Sequence, residues 1–600
     1  MSWYLESMKS LLSEADARWL RAVWAPAVVG VPPSDALRSL CVMPDGEIRA
    51  YGERDKTTVR GGSGEAIYLA SRDCGLSWKA YPVPPGALGA SVRSPYSGKY
   101  ISLRNVTGGD APGLYVFSSA VGPDDTAPAR RRIDPSVYQV ILPPVAMVSR
   151  RRWLCPMHFV DERRHYHPVI AISDDDGESW TLRHLPAAPD HTVSGAHRGL
   201  RWQNSGAEPC VAEMPDGRLM LLARTSLDVL YVYESFDGGD TWTEGAPSDF
   251  HATLTTPAFL RLSDGRVVLF WCNTQPLPEL DHTAQRPLMP PSAVSGLAED
   301  VFTNRDANHA AVTADGVHWE GFREVFLSEI RHRADFRTCG GAVSSADKSV
   351  HQFQALELPY GKILLAFGQH EISRRMVIFD ADWLTEKTRR EDFSRGLDGV
   401  STHVYVKSIS GTALYWKQRP GHCAWNRTYG ALLVPDPDET WGEVLQICRI
   451  HDPRLVSETQ GAVWNFPAAR RGTVTIEMRV GGAGVAVSLT DRWYNVIDET
   501  VRAEAPFSLP LDRTRLAPDV WHTVRIRFDT ARGTAAVDSD GAPLGTFPIR
   551  ADAPHGLCYL HLQSPAGEPD GVGTYIRSLA MQSEDAPDEA AQNHDEEAAK

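Results

Sequence analysis

Glu208 and Arg224 stand near the two ends of one stretch that folds back on itself at Pro215-Asp216-Gly217. Asp-Gly between apolar runs predicts a β-hairpin, and a hairpin brings its outer ends to one edge. That edge would hold a carboxylate beside an arginine. Other polar groups also sit where apolar strands begin or end. Asn304, Arg305, Asp306, Asn308 and His309 lead into Ala310–Thr313; His158 follows the apolar run Trp153–Met157; His370 follows Gly368; His351 precedes the turn at Pro359-Tyr360-Gly361. Arg331, His332, Arg333, Asp335 and Arg337 form a basic cluster shortly before that turn. Together these residues describe a mouth rich in Arg, His and carboxylate, which suits an anionic or polyhydroxylated sugar.

Hydrolysis of a glycosidic bond needs two carboxylates on opposite sides of it. Glu208 is one, and Asp306, Glu65, Asp55 or Asp161 is available as the other. Elimination from a uronate needs instead a base, His309 or His158, and an arginine to neutralise the carboxylate. Both chemistries are open on the residues alone. So is a third role, a glycan-binding protein without catalysis. No cofactor is expected: no Gly-rich loop follows a strand and opens a helix. No metal is expected either, since the nine Cys are scattered, without C-x-x-C or zinc spacing. They read as buried free thiols.

The elements that must position these groups announce themselves by repetition. Ser-x-Asp-x-Gly-x-x-Trp occurs at Ser71–Trp78, Ser173–Trp180 and Ser235–Trp242, with a shorter copy at Thr313–Trp319. Asp and Gly supply the turn geometry, and Trp anchors the turn to a neighbouring strand. Between the boxes lie hairpin turns at Pro44-Asp45-Gly46, Pro215-Asp216-Gly217, Ser263-Asp264-Gly265 and Pro359-Tyr360-Gly361, with weaker ones near Ser97 and Arg150. Pairing each hairpin with the next box gives six units, the spacing of four-stranded blades.

The boxes resemble the Asp-box, or BNR repeat, of sialidase-like β-propellers. The resemblance implies an all-β fold with a six-bladed β-propeller, boxes at the blade periphery, and an active site in the central funnel. Carried over, Glu208 takes the place of the glutamate that activates a tyrosine nucleophile, and Arg224 that of one carboxylate-binding arginine. Elsewhere the pattern departs. The arginine expected before the first hairpin is displaced to Arg38. In the loop from Glu53 to Glu65, which carries Arg60, an arginine falls where the acid/base aspartate is expected. His351-Gln352-Phe353 stands where the nucleophilic tyrosine should be. These losses argue against ordinary sialic-acid hydrolysis. The expectation is a glycoside hydrolase on small oligosaccharides or glycosides, with Arg224, Arg60 and Arg305 as substrate clamps. Asn304, His158, His351 and Arg38 complete the expected binding set.

Six hundred residues exceed one core, so two domains are expected. Residues 1–30 read as a packing helix (Leu5 to Trp24) and lead-in, 31–390 as the propeller. Residues 391–583 read as a second β domain, and 584–600 as an acidic, disordered tail. Glu386–Arg395 reads as a linker. The run from Trp521 through Asp529 and Val537 to Gly541 resembles a laminin-G or concanavalin-like jelly roll. A net charge of −15 argues against nucleic acid or an anionic membrane as the partner. The N-terminus lacks the apolar core of a signal peptide, so a cytoplasmic location is expected.

Overall fold

The computed structural model describes residues 3–34, 37, 39–54, 64–109, 111–163, 165–191, 204–276, 305–328, 350–369, 373–402, 404–407, 425–428, 430–439, 441–451, 459–550 and 552–584. The chain divides into two compact units. The first comprises Met1–Trp319, Glu324–Leu384 and Tyr405–Thr428, the second Glu320–Arg323, Thr385–Val404 and Tyr429–Lys600.

Short apolar strands punctuated by Asp-Gly turns can bury their faces only by stacking sheet on sheet. The first unit does this with six four-stranded antiparallel sheets. Blade one runs from Leu40 to Pro82, two from Val92 to Asp134, three from Val145 to His184, four from Ser205 to His251, and five from Ala258 to Leu327. Blade six has three consecutive strands, Gln354–Leu358, Lys362–Phe367 and Arg375–Asp380. Its fourth strand comes from the N-terminus: Ala27–Gly30 pairs antiparallel with Arg375–Asp380. The sequence pattern did not reveal this strand, because Ala27–Gly30 carries no turn signal of its own. The first strand of blade one also contacts the first strand of blade six, and the Leu40 N–H donates to Gln354 Oε1 at 2.8 Å. Interlocking first and last strands closes the ring without leaving two free sheet edges.

Each box ties its turn in the same way. Ser71, Ser173 and Ser235 accept through Oγ from the N–H of Gly75, Gly177 and Gly239 at 2.7, 2.8 and 2.7 Å, and donate to Asp73, Asp175 and Asp237. Thr313 accepts from Gly316 at 2.8 Å in the same manner. Trp180 and Trp242 donate back to the carbonyls of Gly177 and Gly239, and Trp319 is buried against Phe250 of the preceding blade, ring centroids 5.2 Å apart. Blade two keeps a remnant of the box without the full motif. There Ser119 Oγ accepts from Val121 and Gly122 and donates to Asp125. All these turns join the third strand of a blade to its fourth. Antiparallel order therefore puts them at the same end as the first hairpin, opposite the end where first strands begin.

Two sequence expectations are corrected. The segment from Leu5 to Trp24 is not one helix but two, Leu5–Leu11 and Glu14–Ala22. Ser13 breaks it by accepting the Asp16 N–H as an N-cap, with Leu12 already extended. Glu386–Arg395 is not a linker: its Thr388–Glu391 is a strand paired with Asp570–Ser583.

The second unit is a β-sandwich. An eight-stranded sheet includes Arg471–Val480, Trp521–Asp529 and Asp570–Ser583, and a five-stranded sheet includes Gly461–Ala469, Val485–Thr490 and Leu557–Gln563. Alternate residues Val474, Ile476, Leu560 and Leu562 join Trp464 and Phe528 in one apolar core, as period-two strands require. Cys41, Cys74, Cys155, Cys210, Cys272, Cys448 and Cys558 are buried thiols outside any disulfide, and burial pushes Cys41 and Cys74 up to about 12. No helix among the described residues is long and apolar enough to cross a membrane.

Candidate active site

The first strand of blade four, Ser205–Glu213, is irregular at its start. Its register against Leu219–Thr225 shifts between Ser205 and Ala207, and again between Ala207 and Cys210. Glu208 lies within the second irregularity with φ of 48°, in the left-handed region that non-glycine residues avoid. Arg224 is opposite Ala207, so the hairpin brings the two side chains together. Arg224 Nη1 donates to Glu208 Oε2 at 2.7 Å, and the Thr256 hydroxyl donates to the same oxygen. Arg224 is buried, whereas the Glu208 side chain keeps 16% of its surface exposed. Burial by itself would raise the Glu208 pKa. The Arg224 charge and the Thr256 hydroxyl outweigh it and hold the carboxyl below its ordinary range. Glu208 is therefore an anion at neutral pH.

His158, on blade three, supports Glu208 from behind. The Glu208 N–H donates to His158 Nδ1 at 3.0 Å. Blades five and six add a second set. Arg305 Nη1 donates to His351 Nε2 at 3.1 Å, and its Nη2 donates to the Leu254 carbonyl. Leu254 and Gln352 have φ of 45° and 68°. Three successive blades thus each place a non-glycine residue in left-handed geometry near the start of the first strand. Strain of this kind clusters at functional sites. The two sets adjoin: the charges of Arg305 and Arg224, after burial itself, hold the His351 pKa well below its ordinary value.

Of the residues expected to act, Glu208, Arg224 and His158 meet directly, as do Arg305 and His351. His309 does not join them as a base. Its Nδ1 accepts the Asn273 N–H at 3.0 Å, a backbone hydrogen bond with Trp271 holds the ring again, and burial depresses its pKa to about 3. His158 is similarly unsuited. With Nδ1 accepting, its proton lies on Nε2, and burial lowers its pKa to about 4. His351 accepts through Nε2 from an arginine. A neutral imidazole has one free lone pair, and in all three rings an N–H donor occupies it.

Asp306 is buried, its carbonyl accepting from Ser328 N at 2.7 Å. Of the alternative second carboxylates, Glu65 pairs with Arg54 and Asp161 with His167. The arginines serve as internal struts, Arg224 on Glu208 and Arg305 on Leu254 and His351, rather than as open clamps. Arg38, Arg60, Asn304, Asp55, His370 and the cluster from Arg331 to Arg337 lie outside the described residues. Thr256 was missed in the sequence. Its signal was Thr256-Pro257 before the strand Ala258–Arg261, the same residue-before-proline position that Glu208 has before Pro209. No group of three or more His, Cys, Asp or Glu fit to hold a metal occurs among the described residues.

Residues 123–331 match the family model of the BNR repeat-like domain, a span that holds Glu208, Arg224, Thr256 and Arg305. A stretch of 75 residues, 12% of this chain, is 35% identical to the anhydrosialidase of Macrobdella decora and spans 8% of that protein's length. Among solved structures, a Trypanosoma rangeli sialidase in complex with sialic acid aligns over 94% of each chain, with 13% identity and a TM-score of 0.34. A protein of unknown function from Dyadobacter fermentans aligns over 59% of this chain and 98% of its own, with 16% identity and a TM-score of 0.38.

Proposed function

We propose that this chain, a sialidase-like Asp-box propeller with an added β-sandwich, is a carbohydrate-active enzyme of the glycoside-hydrolase type acting at the mouth formed by blades three to six. One observation carries the reading. Glu208 is a strained, partly exposed carboxylate kept ionised by a buried arginine and a hydroxyl, with its backbone held by His158. A charge fixed in that way suits a general base or an activator of a nucleophile, since its low pKa leaves it no proton to give at neutral pH. The acid of the pair is then a different carboxylate, for which Asp306 is the proposal. Glu208 thus changes from the acid/base residue expected from sequence to a dedicated base.

The lyase alternative loses support, because in His158, His309 and His351 an N–H donor already occupies the lone pair that would take a proton. The experiment is a screen of aryl glycosides, neutral and uronic, with the wild type and Glu208→Gln. Release of the aryl group by wild type alone supports the reading. A product with a new near-ultraviolet double bond would replace it with elimination. Thermal stabilisation by glycans without any product would replace it with pure binding.

A further inference from the structure

Buried polar atoms without partners are rare in folded proteins, and each needs a reason. Among them, five on the uncharged side chains of Asn204, Thr255, Asn308 and Gln352 lie at the strand-start end of blades four to six. They are Asn204 Nδ2, Thr255 Oγ1, Asn308 Oδ1 and Nδ2, and Gln352 Oε1. Asn308 and Thr255 are fully buried, and Asn204 and Gln352 are 2% and 7% exposed. They are near one another through bonds already described. Thr255 follows Leu254 and Gln352 follows His351, and both Leu254 and His351 are held by the Arg305 guanidinium. Asn308 lies three residues after Arg305, and its neighbours Ala310 and Val312 pack in the same apolar cluster as Val350 and Phe353 before the first strand of blade six. Asn204 precedes Glu208 on blade four and accepts the Ala207 N–H through its other amide end at 3.1 Å.

We propose that Asn308, Gln352 and Thr255, with Asn204 beside Glu208, form a subsite that recognises the vicinal hydroxyls of a neutral sugar ring. This rests on the glycoside-hydrolase reading and specifies its substrate class. All five of these atoms belong to uncharged amide or hydroxyl side chains. The two arginines are turned inward on protein acceptors, so the groups left over match hydroxyls rather than a carboxylate. An amide with both ends open is suited to a diol: Nδ2 donates to one hydroxyl oxygen while Oδ1 accepts from the next. Leaving such groups unpaired destabilises the free protein, and a ligand that pairs them is bound correspondingly better. Rejection of sugars lacking those hydroxyls follows from the same cost.

The test measures binding apart from turnover. Methyl β-glucopyranoside, methyl β-galactopyranoside and methyl β-glucuronide are titrated against Glu208→Gln protein, and Tm is followed. Asn308→Leu and Thr255→Val are then added to that background. At least one neutral glycoside is expected to raise Tm. Each added substitution is expected to weaken that binding about tenfold or more, while leaving the Tm without sugar unchanged or higher. A fall in sugar-free Tm for both substitutions would mean that these groups are paired inside the resting protein, and the subsite would be lost. A shift with the glucuronide alone, or with none of the three, would equally overturn it. If the neutral shift holds but wild type turns over no glycoside, the subsite stands and the catalytic reading falls.

Discussion

The two ends of the propeller blades use polar residues in opposite ways. At the box end, serine, aspartate and glycine hold one another within a few residues, and most of the left-handed conformations fall on glycines such as Gly75, Gly177, Gly239 and Gly316. At the strand-start end Glu208, Leu254 and Gln352 are left-handed without being glycines, and buried amides and the Thr255 hydroxyl stand unpaired. The first arrangement stabilises locally. The second retains strain and unmet hydrogen bonds at a common mouth, which is the trade expected where a ligand must be met.

Substitutions can break or sharpen that contrast. The largest effect belongs to Glu208→Gln, expected to lower glycoside turnover by about 10²–10⁴-fold through loss of the base, read as kcat at constant fold. Glu208→Ala adds a stability cost of about 3–5 kcal/mol, because Arg224 then stays buried without its counter-charge; urea unfolding measures it. At the opposite end, Trp319→Ala is expected to cost about 3–5 kcal/mol of stability and to leave the KM of the folded fraction unchanged. A shift in KM there would show that the two ends are coupled.

Acid comes next. His158, His309 and His561 have folded pKa values depressed by burial to about 4, 3 and 4, from an ordinary 6.5. Below about 6.5 the unfolded chain takes up protons that the fold refuses. Stability is therefore fully present above that pH, declines as pH falls towards 4, and levels off beneath the folded values. Tm against pH checks this, and a flat profile between pH 6.5 and 4 would contradict the buried neutral rings. The smallest effect is for Ser235→Ala, about 1 kcal/mol from the lost Gly239 and Asp237 hydrogen bonds, with no change in kcat.

Much of the blade count was legible because its signals are local. Box turns and Asp-Gly hairpins are read within eight residues, and they fall where the strands turn. Glu208 and Arg224 were legible for the same reason, as two ends of one hairpin. The roles of the histidines were not. His158 and His309 have the residue type of a base, but backbone N–H groups of Glu208 and Asn273, 50 and 36 residues away, take their lone pairs. Thr256 was invisible because a threonine before a proline has no signature until a different blade brings a carboxylate to it.

The sequence by itself determined the repeated turns, the alternation of the strands and thus the propeller with its second β unit, since these depend on φ preferences and side-chain periods a few residues long. Tertiary structure alone decided that Ala27–Gly30 closes blade six, that Arg224 and Arg305 brace the protein from within, and that Asn308 and Thr255 are left unpaired. Those outcomes depend on which groups meet across blades far apart in the chain, where burial makes each hydrogen bond and charge count for more than residue type predicts.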